Sequence, residues 1–130
     1  MSVWDELAVN PYVQVAQNAI ATFFSSDPPQ FLYLPWSLHD RAALRELVMS
    51  AGFEEPSIEV VPHTVELPTA YHAARGLVQG NPTILDVEER ANGTVEEVVE
   101  VVAFCLGQAF GHEPFRAPMR ALVIDAERAP

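Results

Sequence analysis

The longest apolar stretch with helical spacing opens at Thr94, and any fold this chain adopts has to cover it. Thr94-Val95-Glu96-Glu97 is a capping box, in which the threonine hydroxyl and the Glu97 carboxylate can each satisfy a free backbone donor at a helix start. Behind it Val95, Val98, Val99, Val102, Cys105, Leu106 and Ala109 form an inner stripe, while Glu96, Glu97 and Glu100 face water near the positive end of the helix dipole. These glutamates read as a solvated face and not as a site.

The other segments are shorter. Asn10 as cap and Pro11 at the first helical position open an amphipathic helix reaching Phe24, with Val13, Ala16, Ile20 and Phe23 on one side. Ser25 to Pro29 breaks it, and the prolines around Phe31-Leu32-Tyr33-Leu34-Pro35-Trp36 argue for an ordered loop there. Asp40 caps a helix from about Arg41 to Ser50, whose face is Leu44, Leu47, Val48 and Ala51 and which Gly52 ends. Ser57 to Leu67 favours a strand, with Pro62 implying an edge position or a bulge. Thr69 caps Ala70 to Val78, and a short helix is expected at Thr83 to Glu89. Ala121-Leu122-Val123-Ile124 reads as a strand covered on both faces, and Ser2-Val3-Trp4 as the end of a strand.

A single domain spanning residues 1–130 is expected, because a chain of this length buries one core. Apolar residues make up 49% and charged residues 19%, which excludes a disordered tail. Seven arginines, no lysine and eighteen carboxylates give a net charge of -11. Such a field repels phosphate backbones and anionic headgroups, so neither nucleic acid nor a membrane is an expected partner. No apolar run approaches the roughly eighteen residues of a membrane span, and no basic region precedes an apolar one at the start, so a cytoplasmic location is expected. Cys105, the single cysteine, sits in an apolar run and is expected to be a buried structural thiol.

Several local phrases follow one another in an order that resembles the C-terminal half of Rossmann-like S-adenosylmethionine-dependent methyltransferases acting on small molecules. Ser2-Val3-Trp4 followed by Asn10-Pro11-Tyr12 is similar to that family's fifth strand running out into a helix that begins with an Asn-Pro pair. Trp36-Ser37-Leu38-His39-Asp40, then Leu44 and Ala51-Gly52-Phe53, is similar to its aromatic-Ser-Leu turn, helix and Ala-Gly-Phe ending. The resemblance covers nearly the whole chain. It implies that Ser57 to Leu67 is the sixth strand, that a helical insertion at about 69–110 covers the substrate, and that Ala117 to Asp125 is a last, antiparallel strand between the fifth and the sixth. The expected fold class is therefore α/β, a partial Rossmann-like methyltransferase fold. About five helices accompany a small antiparallel pair at about Ser57–Leu67 and Ala117–Asp125, completed by dimerisation. The Gly-rich turn of such enzymes, and the acidic residue that holds the ribose, would lie upstream of Met1. Gly52, Gly76, Gly80, Gly93, Gly107 and Gly111 never form a G-x-G after a strand, so no residue is assigned to the cofactor and none is expected to bind to this chain alone.

Methyl transfer from a sulfonium is a direct displacement, so a shaped apolar pocket that aligns the acceptor and excludes water does most of the work. Trp4, Tyr12, Phe31, Tyr33, Trp36, Tyr71 and Phe115 are the aromatic residues available for its walls, and Trp4, Tyr12, Trp36 and Tyr71 are the candidate substrate contacts, with core packing the competing role. Of His39, His63, His72 and His112, the candidates for proton transfer are His39, in the turn before a helix, and His72, in the first turn of the insertion. No two histidines stand at i and i+4 and there is no Cys-x-x-Cys, so no metal site is expected; no serine has a G-x-S-x-G setting.

Two functions fit. In the first, the chain is the substrate-covering part of a methyltransferase for a small-molecule acceptor, inactive alone. Its partners are then a separate cofactor-binding chain or a second copy that pairs strands or buries the surface left open. In the second, it is a non-catalytic acidic module derived from a methyltransferase, for dimerisation or for binding a small ligand.

Overall fold

The computed structural model describes all 130 residues. In chain order the elements are β1 (Ser2–Trp4), a 3-10 turn at Leu7–Val9, α1 (Pro11–Ala21), a second 3-10 turn at Phe31–Tyr33, α2 (Arg41–Ser50), β2 (Ser57–Leu67), α3 (Ala70–Gln79), α4 (Thr83–Arg90), α5 (Val95–Phe110) and β3 (Phe115–Asp125). The strands form one sheet in the order β1-β3-β2, with β3 antiparallel to both neighbours. The expected pair of strands is therefore a three-stranded sheet. Ser2, Val3 and Trp4 pair with Val123, Leu122 and Ala121, and β3 starts two residues before the expected Ala117. A three-residue strand is too short to announce its partner in its own sequence; the apolar run it lies against supplies the pairing.

Both strand prolines are explained by register. The Arg120 N–H and C=O turn toward the β1 side, where they bond Asn10 Oδ1 at 2.9 Å and the Asp5 amide at 3.0 Å. Residues two apart on a strand present their backbone groups to the same side, so Pro118 turns its nitrogen away from β2. Pro62, opposite Arg120, turns its own outward from the sheet. Neither ring removes a ladder bond, and the register runs from Ser57 to Leu67 without a bulge, so β2 is an edge strand.

The same alternation gives the layers. Phe115 and Ala117 face α1, α3 and α5 and join a core of eighteen buried residues that includes Val13, Ile20, Val78, Val99, Val102 and Leu106. Leu122 and Ile124 point to the opposite face, where Leu44 of α2 covers them. Each fully buried Leu, Ile or Phe contributes about 2 kcal/mol of transfer free energy. On α5 the buried columns are Val98-Val102-Leu106 and Val99-Ala103-Gly107. Cys105 is half-buried instead of fully enclosed, and Ala109 is exposed.

Caps hold the helices where local sequence predicts. Asp40 accepts from the Ala43 amide at 2.9 Å, Thr69 from His72 at 3.3 Å and Thr94 from Glu97 at 3.1 Å. The Thr94 box closes on this one side, through the threonine. Asn10 occupies the cap position of α1 but its side chain does not cap. It is fully buried and spent on β3 instead.

Candidate functional site

Two of the aromatic candidates meet. Trp4 ends β1, Trp36 follows the second 3-10 turn, and their rings stack with centroids 5.9 Å apart and planes 20° apart. Trp36 is buried, and its indole Nε1 has no acceptor within the chain. Beside the pair, Ser2, Val3, Trp4, Leu34, Pro35, Leu38 and Ala121 line a shallow cleft of about 400 Å³. Leu34 and Leu38 stand exposed at its rim.

Two further candidates meet elsewhere. Packing of α1, α3 and the sheet brings Tyr12 and His72 to a narrow cleft of about 190 Å³ with Val65, Leu67, Gly76 and Phe115 in its wall. Burial pushes the Tyr12 hydroxyl above the usual phenol range. His72 Nδ1 lies 2.7 Å from Thr69 Oγ1, which fixes the ring by the same residue that caps the helix.

The remaining candidates, Phe115 excepted, stand apart from both clefts. Tyr71 is exposed and donates its hydroxyl to Glu96 at 2.8 Å, a clasp between α3 and α5 and not a pocket wall. That bond to a carboxylate raises the phenol's pKa. His39 is half-buried just before the Asp40 cap, and His63 is exposed on β2. His112 pairs with Gln108 at 3.0 Å and lies against Phe104. Phe31 is part of the core surroundings, and the Tyr33 hydroxyl accepts a long bond from Gln14. Phe115 serves both core and cleft.

A polar cluster that sequence reading missed sits where β1 ends. Asp5 is 1% exposed, with Arg120 Nε 2.7 Å and an Arg41 terminal nitrogen 3.3 Å from the same carboxylate oxygen. The Glu6 amide donates to the other oxygen at 2.8 Å. Burial works to raise the Asp5 pKa, but the Glu6 amide and the two guanidinium groups outweigh it and hold the carboxyl below its usual 3.8. Asn10 Nδ2 donates to the carbonyls of Asp5, Glu6 and Arg120, each at 3.1 Å. A carboxylate directly after a strand and an asparagine before a proline were the signals; their partner, Arg120, lies more than a hundred residues away.

The apolar face expected on α2 is only partly covered. Leu44 is buried, but Leu47, Val48 and Ala51 line an open groove of about 350 Å³ with Met1, Phe53, Ile124 and Ala126. Ala126 also borders an adjoining hollow walled by Glu54, Glu55, Asp125 and Glu127.

No three His, Cys, Asp or Glu side chains stand close enough to hold a metal ion, and no helix is long and apolar enough to cross a membrane. β1 leaves through Asp5-Glu6 and β2 through Pro68-Thr69, so no strand exit offers glycine backbone for close approach to a cofactor. The glycines with positive φ, Gly52, Gly93 and Gly111, all stand at helix ends. No protein-family model matches the chain, and no curated protein matches it either.

Proposed function

We propose that this chain is the substrate-covering part of an S-adenosylmethionine-dependent small-molecule methyltransferase, inactive alone and completed by a separate cofactor-binding chain. The observation that carries the reading is the strand arrangement. β3 lies between β1 and β2 and opposes both, the order the resemblance implies for a last strand between a fifth and a sixth. The helices α3 to α5 fall between β2 and β3, where an insertion over the substrate is implied. Layers on both faces of β3 agree with a sheet meant to be wrapped on two sides.

On this reading the chain encloses the acceptor and keeps water from it. The Trp4 indole, backed by the buried Trp36 ring stacked on it, offers a flat apolar wall to the cleft. A second copy could instead pair along β1, but two chains of charge -11 repel each other, which favours a partner of different composition.

Calorimetry with S-adenosylmethionine tests the proposal, first on this chain and then on its mixture with a companion that carries a Gly-rich strand-turn-helix. Heat in the mixture alone is the expected result. Heat with this chain alone overturns the division of labour, and none in either case favours the non-catalytic module. One observation speaks for that second reading: His39, His63, His72 and His112 are scattered, and only His72 stands in a cleft with an aromatic candidate.

A further inference from the structure

The open groove on α2 lies on the face of the sheet opposite Phe115 and the large core. Its wall holds no charged side chain, yet Leu47 is 51% and Phe53 40% exposed there. Large apolar side chains left open together in one hollow gain by being covered. Leu47 and Ala51 stand one helical turn apart with Val48 between them, the spacing of a ridge that a second helix packs against. At one end the groove meets the hollow of Glu54, Glu55, Asp125 and Glu127, and no basic side chain lines that hollow. Of these, Glu55 has a guanidinium in range, Arg45 at 4.0 Å.

From this pairing of surfaces we infer that the groove docks an amphipathic helix of a separate chain, apolar along one stripe and rich in lysine or arginine at one end. A second copy is a poor occupant. Five of its seven arginines, Arg41, Arg45, Arg90, Arg116 and Arg120, are already in ion pairs with its own carboxylates. An anionic lipid surface is repelled by the same acidic rim. The inference stands without the methyltransferase reading, since any chain with such a helix satisfies it, and its test uses no cofactor.

The probe is a dye-labelled synthetic peptide of about eighteen residues, long enough to hold a helix, with leucines at i, i+3, i+4 and i+7 and lysines in its last turn. Fluorescence anisotropy against the full chain is expected to give saturable binding that weakens as salt is added. Leu47→Glu, at a position already half in water, is expected to weaken it at least about tenfold. The surface double variant Glu54→Lys, Glu127→Lys leaves the groove intact and is expected to weaken it about fivefold while removing most of the salt dependence. Far-UV circular dichroism checks that each variant is folded, and the double variant decides the matter if Leu47→Glu is not. Equal binding of a peptide with glutamates in place of the lysines overturns the inference, as does the absence of any binding. A reversible dimer in sedimentation that Leu47→Glu abolishes assigns the groove to a second copy and equally overturns it.

Discussion

Where β1 stops after three residues, the side chain of Asn10 takes over its role. Its amide bonds both backbone groups of Arg120, so β3 keeps a hydrogen-bonding neighbour past the end of the strand. Asp5 anchors the same junction to α2 through Arg41 and to β3 through Arg120. Because the folded Asp5 carboxyl titrates below its usual 3.8, the unfolded chain binds its proton first as pH falls. The stability it contributes is thus complete above the unfolded value and is lost as pH drops from 3.8 through the lower folded one. Asp5→Asn is expected to destabilise the protein by about 2 kcal/mol at neutral pH and to flatten that acid limb, as read by urea denaturation across pH. An acid limb unchanged in the variant would assign it to other carboxylates.

At the scale of elements, the stop of α5 is as sharply defined as its start. Gly111 sits at φ 102°, and a Cβ there would lie 2.7 Å from the Pro114 carbonyl oxygen. Gly111→Ala is expected to cost about 2 kcal/mol, measured as a lowered thermal midpoint with helix content largely retained. Elements of this kind were readable in advance because their causes are local: Asp40, Thr69 and Thr94 each reach an amide three residues on. The strand at Ser57–Leu67 was readable too, and of the edge position or bulge that Pro62 implies, the sheet order shows the edge position. What could not be read depends on contacts between distant segments. Asn10 looks like a helix cap until Arg120 is beside it, and the stripe Leu47, Val48 and Ala51 looks buried until its missing cover is seen. The candidate aromatics were legible only as residue types. Stacking joined Trp4 to Trp36, α1 against α3 joined Tyr12 to His72, and Tyr71 went to Glu96.

The whole molecule carries eighteen carboxylates against seven arginines, and five of those arginines are held in ion pairs. The unpaired surplus is negative, so self-repulsion opposes the folded state. Raising sodium chloride from low to physiological ionic strength is therefore expected to raise the thermal midpoint at neutral pH, as read by calorimetry; a midpoint that falls would show that screening of the ion pairs dominates. The prolines of the sheet carry a further consequence. With Pro62 turned outward, the outer margin of β2 lacks a donor at its centre and resists the addition of another strand. The opposite margin, at β1, is only three residues long. A sheet that resists a new strand at its β2 margin gives copies no two-sided template to stack on, which disfavours edge-to-edge fibrils.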